Sequence, residues 1–479
     1  MKYLRRALAA VCLSMFVFGT AAHATAVQEG GGAGEEQAGE GDGTKDEADD
    51  GEESYFAVIG GDVHTGTGAV LRGATVLARN GKIQKIGFDI DLPPDTKTLD
   101  ATGLRVYPGL VAISSRGLLG NATGDFQDTA DPFNSRTILG LASGITTSGM
   151  SNAVVKLKRG SLKGLVVNER PFSTLSWSSR NAAGKRSLRE KLVAASAYLR
   201  KYRDWEQEVK KNKELKEPPK KGVDTAVLGV LKGEVRAKFG ANERDDLLGI
   251  ARLAQEFDFR PVIDGCQEGW TVSEELGRAG AFAIVTPRAR VTKNEELARP
   301  GGSSIENAAL LHRSGVSIAV TPANEGVDLG GIVGRDIMHL PIEAGFAVRG
   351  GLPEHAALAA ITIVPARILG VSHRVGSLEV GKDCDVIVTD GDVLHYETFV
   401  QYAVVDGRLV YDKSKELFFA QIRPRPEVSA PEKKIDKGET ETTPDDTPAE
   451  EKKPDDEKPD DEKKEEQEEK KDGESSEGG

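Results

Sequence analysis

Polar side chains gather where strand-like runs end, and their types could support chemistry. The stretch "IDGCQEG" carries Asp264, Cys266 and Glu268 directly after an apolar run. A cysteine beside an acid could act as a nucleophile, and paired acids could transfer protons. A cysteine nucleophile also needs a nearby cation or base that favours the thiolate. Arg116, in "YPGLVAISSRG", is the candidate for that role. Asp264, Cys266 and Arg116 are therefore the catalytic candidates.

Other polar residues follow further predicted strands and are candidates for substrate binding. These are Asn242, Glu268, Asn324, Glu325 and His339. In barrel proteins, the residues at the carboxyl ends of the strands are the ones that usually carry function. The competing interpretation is structural: Arg116 forms an ion pair with Asp264 or another acid. Beyond residue 24 the sequence has no HxH, HExxH or CxxC spacing, so a lone His339 is more typical of a hydrogen-bonded residue than of a metal ligand.

The elements that must position these residues alternate between strands and helices after Gly109. Strand-like runs include "AVVKLK", "KGLVV", "VRAKFGA", "RPVIDG", "FAIVTP" and "VSIAVTP", and helical patterns include "RDDLLGIARLAQEF" and "SSIENAALLHRSG". Such alternation predicts a parallel sheet with crossover helices. The number of units favours a (β/α)8 TIM barrel over residues 108–372.

Both ends of the folded region are rich in strands. Residues 55–107 and 373–420 alternate apolar and polar positions between Gly, Asp and Asn turns, and "RNGK" at 79–82 predicts a hairpin. We therefore expect a small composite β-sandwich domain that contains segments from both ends and encloses the barrel between them. The fold class predicted for the whole chain is α/β.

The terminal segments indicate export. Residues 1–24 have a basic start, a short apolar run and the small-residue site "AHA", which is typical of a signal peptide. Cleavage after Ala24 is expected, with Ala26 as the competing site. We therefore expect a periplasmic or extracellular protein without a transmembrane segment. Export would permit a disulfide between Cys266 and Cys384, but separate buried thiols are the preferred interpretation.

Two acidic arms flank the folded region. Residues 27–54 hold eleven acidic residues and one lysine, and residues 427–479 hold 22 acidic residues and ten lysines. We expect a disordered linker over 25–54 and a disordered tail over 421–479, because such compositions bury too little apolar surface to fold. The net charge is −13, and the sequence shows no pattern typical of nucleic-acid binding. An alternative interpretation makes the arms the functional part, binding an envelope component.

Long stretches of the sequence resemble the amidohydrolase superfamily, in particular its imidazolonepropionase-like branch. The resemblance rests on "LDATGLRVYPGLV", "LASGITT", "GEVRAKFGANERDDLLGIARLAQEF" and "HLPIEAGFAVRGGLPEHAALAAITIVPARILGVSHRVGSLEVGKDCDVIV". It implies a TIM barrel with zinc or another divalent metal at its mouth. The family's metal would be held by an HxH pair, two further histidines and an aspartate, and would activate a water for hydrolysis.

This chain departs from that pattern at every ligand position. The resemblance places the HxH pair at Ser114 and Arg116, the two further histidines at Gly240 and Gly265, and the aspartate at Pro322. These residues form no ordinary metal-ligand set, and Arg116 puts a cation where the ion would lie. No cofactor is therefore predicted.

Three functions remain as hypotheses. The first is a catalytically inactive pseudo-hydrolase that binds a small molecule or acts as a scaffold. The second is a divergent hydrolase that cleaves carbon–nitrogen bonds, other than peptide bonds, through a site without metal. The third is an envelope interaction protein that acts through its acidic arms. The substrate, the partner and the oligomeric state are not predicted by the sequence.

Overall fold

A computed structural model of the chain describes residues 53–122, 124–296, 298–328, 334–416 and 419–421. The predicted signal peptide, and all but a few residues of both predicted arms, lie outside these described residues. The strands are β1 (Tyr55–His64), β2 (Val70–Arg79), β3 (Lys82–Gly87), β4 (Lys97–Asp100), β5 (Arg105–Pro108), β6 (Leu110–Ser115), β7 (Ile145–Met150), β8 (Ala153–Lys156), β9 (Val166–Asn168), β10 (Phe172–Thr174), β11 (Arg236–Ala241), β12 (Pro261–Gly265), β13 (Phe282–Val285), β14 (Ser317–Val320), β15 (Val386–Thr389), β16 (Val400–Val405) and β17 (Arg408–Asp412).

Helices lie between many of these strands along the chain. They are α1 (Phe126–Thr129), α2 (Ser135–Ala142), α3 (Ala182–Val209), α4 (Thr225–Lys232), α5 (Arg244–Phe257), α6 (Ser273–Arg278), α7 (Asn307–Arg313), α8 (Leu340–Arg349), α9 (Glu354–Ala359) and α10 (Ile363–Ile368), with 3-10 turns at Gly269–Thr271, Ile337–His339 and Lys413–Lys415. Among the described helices, none is long and apolar enough to cross a membrane.

Strands from both ends of the described region form one sheet of eight strands. Its order is β17-β16-β15-β5-β1-β2-β3, and β4 pairs with β1. The predicted hairpin is confirmed: Asn80 and Gly81 both have positive φ, as a tight turn between β2 and β3 requires. Hydrogen bonds join all eight strands into a single sheet, and its folding into the two layers of a β-sandwich stays a prediction.

Most of the polar residues of interest lie on, or shortly after, five parallel strands. β10, β11, β12, β13 and β14 lie side by side in chain order. Helices connect successive strands, as the alternating sequence pattern predicts. Neighbouring side chains on β12 face different cores: Ile263 belongs to one apolar cluster, whereas Val262 packs with Ile284 of β13 in another. The sheet is therefore covered on both faces.

The four-stranded sheet β6-β7-β8-β9 differs from the sequence prediction. "AVVKLK" and "KGLVV" were expected to continue the parallel pattern, but β8 is antiparallel to both of its neighbours, β7 and β9. Only residues 151 and 152 connect β7 to β8, and a two-residue link allows a hairpin but no crossover helix. Val111 and Ile113 of β6 share an apolar cluster with β12 and β13. Closure of the strands into one barrel is not found among the described residues, so the complete (β/α)8 barrel stays a prediction.

A candidate ligand site at the carboxyl ends of the strands

The carboxyl ends of β6 and β14 meet at a parallel bridge. Arg116 pairs with Gly326, and the backbone N–H of Arg116 donates to the carbonyl of Glu325 at 2.9 Å. The side chains also approach, with 3.9 Å between Nε of Arg116 and Oε2 of Glu325. Arg116 therefore pairs with an acid, and this acid is Glu325 rather than Asp264. Its side chain is 74% exposed, so solvent screens this pair and its contribution to stability is small.

Asp264 and Cys266 lie close in sequence but in different surroundings. Asp264, on β12, forms an ion pair with Lys238 of β11, with 2.8 Å between Oδ2 and Nζ. Cys266 is fully buried, and the side-chain amide of Asn307 donates to its carbonyl at 2.9 Å. Burial raises the pKa of the Cys266 thiol to about 12. The thiol is therefore protonated at neutral pH, which opposes the nucleophilic role considered above.

Glu268 links two chain segments. Its Oε2 accepts from the backbone N–H of Arg244 at 2.9 Å, at the start of α5, and its Oε1 accepts from the N–H of Gly302 at 2.7 Å. Nη1 of Arg299 lies 3.5 Å from Oε2. The carboxylate is nearly buried and its oxygens are occupied by the protein. This arrangement fits a structural anchor for the loop before α7.

The asparagines at the strand ends support turns. Oδ1 of Asn324 accepts from the N–H of Gly326 at 3.0 Å, and the N–H of Asn324 donates to the carbonyl of Arg335 at 3.0 Å. The carbonyl of Asn242 accepts from the N–H of Glu268 at 2.9 Å. Asn242 and Asn324 therefore hold the loops that follow β11 and β14.

His339 lies in the 3-10 turn before α8 and contacts a buried acid. Its Nδ1 is within hydrogen-bond distance of Oδ1 of Asp336. Burial opposes ionisation of Asp336, but hydrogen bonds from His339 and from the backbone of Asp328 outweigh it, and the pKa of Asp336 is lowered. The interaction fixes the orientation of the imidazole ring.

The positions at which the resemblance places metal ligands do not suit a metal. Within the part of the chain that the structure describes, no three His, Cys, Asp or Glu side chains converge in a way that could hold an ion. Gly265 adopts φ +103°, and a Cβ built there would lie 2.2 Å from Oδ1 of Asn242. Gly240 has open space instead. Serine, arginine and proline at the remaining three positions do not fit the donor set of zinc.

A cationic cavity, whose lining includes the residue after Pro322, was not predicted from the sequence. It has a volume of about 190 Å³ and lies where β13 and β14 end. Its lining residues are Thr286, Arg288, Ala289, Arg290, Ala323, Arg335 and Glu343. The signal in the sequence was "FAIVTPRAR", in which two arginines follow directly after an apolar strand. Arg335 could not be added from sequence, because it comes from a loop distant along the chain.

Part of the chain is similar to a known protein family. Residues 282–425 match the model of the amidohydrolase family. "Amidohydrolase tasK" of Hapsidospora irregularis is 26% identical over 194 residues, which cover 39% of this chain and 18% of that protein. "N-acetylglucosamine-6-phosphate deacetylase" of Danio rerio is 44% identical over 55 residues, which cover 12% of this chain and 14% of that protein. The matches thus cover less than a fifth of either relative.

A solved structure shares the fold. The amidohydrolase from Thermotoga maritima MSB8 superimposes with a TM-score of 0.55 and 24% identity, over 74% of this chain and 100% of that one. The chain therefore shares the fold of that structure, and residues 282–425 match the amidohydrolase family model. The imidazolonepropionase-like branch stays a prediction.

Proposed function

We propose that this protein is an amidohydrolase-like protein without a catalytic metal centre, which binds a small molecule rather than hydrolysing it. The observation that carries the proposal is the set of residues at the expected ligand positions. Ser114, Arg116, Gly240, Gly265 and Pro322 offer no imidazole or carboxylate there. At Gly265 the backbone conformation and the contact with Asn242 also disfavour a side chain. A fold can persist while its site changes, because function depends on site residues rather than on architecture.

Hydrolysis without metal is the alternative, and the surroundings of its candidate residues weigh against it. Cys266 is buried with a raised pKa, Asp264 is bound by Lys238, and Arg116 faces Glu325. None of these contacts prepares a thiolate or a free general base.

Turnover assays separate the two functions. The full chain would be incubated with a panel of amides, lactams and ureas, with and without added zinc, beside a known amidohydrolase as assay control. We expect no turnover above the buffer background. Metal-dependent turnover would contradict the proposal, as would metal-independent turnover that Cys266→Ser or Asp264→Asn abolishes in a folded protein.

We also propose that the protein is exported, to the periplasm or the exterior of the cell. The basic start, apolar run and "AHA" site support this. Amino-terminal sequencing of protein recovered outside the cytoplasm should begin at Thr25, or at Val27 if the competing site is used. Recovery only in the cytoplasm with Met1 retained would contradict export.

A further inference from the structure

The cavity between the ends of β13 and β14 has an unusual balance of charge. Three arginines line it, and among the residues that the structure describes the only acid in its lining is Glu343. With all these groups ionised, the lining carries two positive charges in excess. A small concave surface with one sign of charge concentrates ions of the opposite sign.

Arg288 forms a fixed wall of this cavity. Its Nε donates to Oε2 of Glu343 at 2.7 Å, and its backbone N–H donates to Oε1 at 2.9 Å. Its guanidinium also donates to the carbonyl of Gly334 and lies 4.7 Å from the centre of the Phe346 ring. Glu343 is 1% exposed. The charges of Arg288 and Glu343 therefore compensate each other inside the protein.

Arg290 and Arg335 supply the excess charge. Both residues are exposed and line the cavity. Among the described residues, neither forms an ion pair with a carboxylate. The neighbouring acid Asp336 is occupied by His339 and by the backbone N–H of Asp328. Two guanidinium groups on one small cavity are thus free to bind a ligand.

The size and donors of the cavity define the class of ligand. Guanidinium groups bind carboxylates and phosphates through paired hydrogen bonds. The volume of about 190 Å³ is smaller than the roughly 300–1,000 Å³ of sites for drug-sized ligands. We propose that this cavity binds a small dianion, a phosphate or a dicarboxylate, with Arg290 and Arg335 as its ligands and the Arg288–Glu343 pair as their frame. This assignment rests on the proposed ligand-binding function and names its ligand class.

Calorimetric titration of the full chain tests the assignment. Inorganic phosphate and succinate would be the probes, at constant ionic strength, with sodium acetate as the monoanionic comparison. We expect saturable binding of phosphate or succinate in the micromolar to millimolar range and weaker binding of acetate. Arg290→Gln and Arg335→Gln should each weaken the dianion about tenfold or more, because each removes a charged donor pair. Arg408→Gln, an exposed arginine on β17, is the charge-matched control and should bind like the wild type.

The outcomes distinguish this proposal from the proposed function. No saturable binding of phosphate or succinate, or unchanged affinity in both cavity variants, would overturn the dianion site. A finding of turnover with intact dianion binding would overturn only the ligand-binding function. Circular dichroism of each variant checks that loss of binding does not reflect loss of folding.

Discussion

At the scale of single residues, the surroundings of Gly265 determine whether that position could accept a metal-binding side chain. It adopts a positive φ at the end of β12, where Asn242 occupies the space a side chain would need. Gly240, at the corresponding end of β11, faces open space. The resemblance assigned a histidine to both positions, yet their surroundings differ. One position could accept an imidazole and the other could not.

Paired substitutions test this difference. Gly265→His should lower the free energy of unfolding by about 2 kcal/mol or more, since it combines backbone strain with a steric clash. Gly240→His should change it by no more than about 0.5 kcal/mol, as expected for an exposed site. Urea denaturation measures both. Equal stability of the two variants would show that Gly265 can accept a ligand side chain.

At the scale of elements, a buried lysine joins β8 to the eight-stranded sheet. Lys156 is 0% exposed, and its ammonium lies 2.7 Å from Oδ2 of Asp383 and 3.1 Å from Oδ1 of Asp385, with Asp406 also in contact. Burial disfavours the charged lysine, but the three carboxylates outweigh it and raise its pKa. The eight-stranded sheet and β8 are therefore connected by charge as well as by apolar packing.

Removing that charge should be costly. Lys156→Met leaves buried carboxylates without their cation, and we expect a loss of about 3–5 kcal/mol in the free energy of unfolding. Lys201→Met, on the exposed face of α3, is the matched control and should have little effect. Chemical denaturation compares them. A Lys156→Met protein as stable as the control would contradict the proposed role of the cluster.

The same cluster predicts a dependence on acid pH. Burial opposes ionisation of Asp383, but Lys156, Lys82 and Arg374 outweigh it and lower its pKa to about 2. Because the pKa is lower in the folded state, its stabilisation is present above about pH 4, the unfolded value, and is lost as the pH falls towards 2. The stability of the wild type should fall across that interval more steeply than that of Asp383→Asn. Parallel pH profiles of the two proteins would contradict the assignment.

At the scale of the whole molecule, local patterns were predicted well and long-range arrangement less well. The β2–β3 hairpin and the β11–β14 alternation depend on neighbouring residues, and the sequence displays them directly. The antiparallel β7–β8 pair depends on the length of one connection, which the apolar pattern of "AVVKLK" conceals. The cationic cavity joins Arg290 to Arg335 across 45 positions of sequence, and only folding brings such residues together. The substituted ligand positions follow from the resemblance, whose fold is supported by the solved amidohydrolase.

The metal content of the protein tests the central claim most directly. The full chain would be purified without chelators from cells grown with ample zinc, manganese and iron, and analysed by inorganic mass spectrometry beside a metal-binding amidohydrolase prepared in the same way. Because the positions that the resemblance assigns to metal ligands hold serine, arginine, glycine and proline, we predict well below 0.1 equivalent of any transition metal per chain. About one equivalent that survives dialysis would contradict the account.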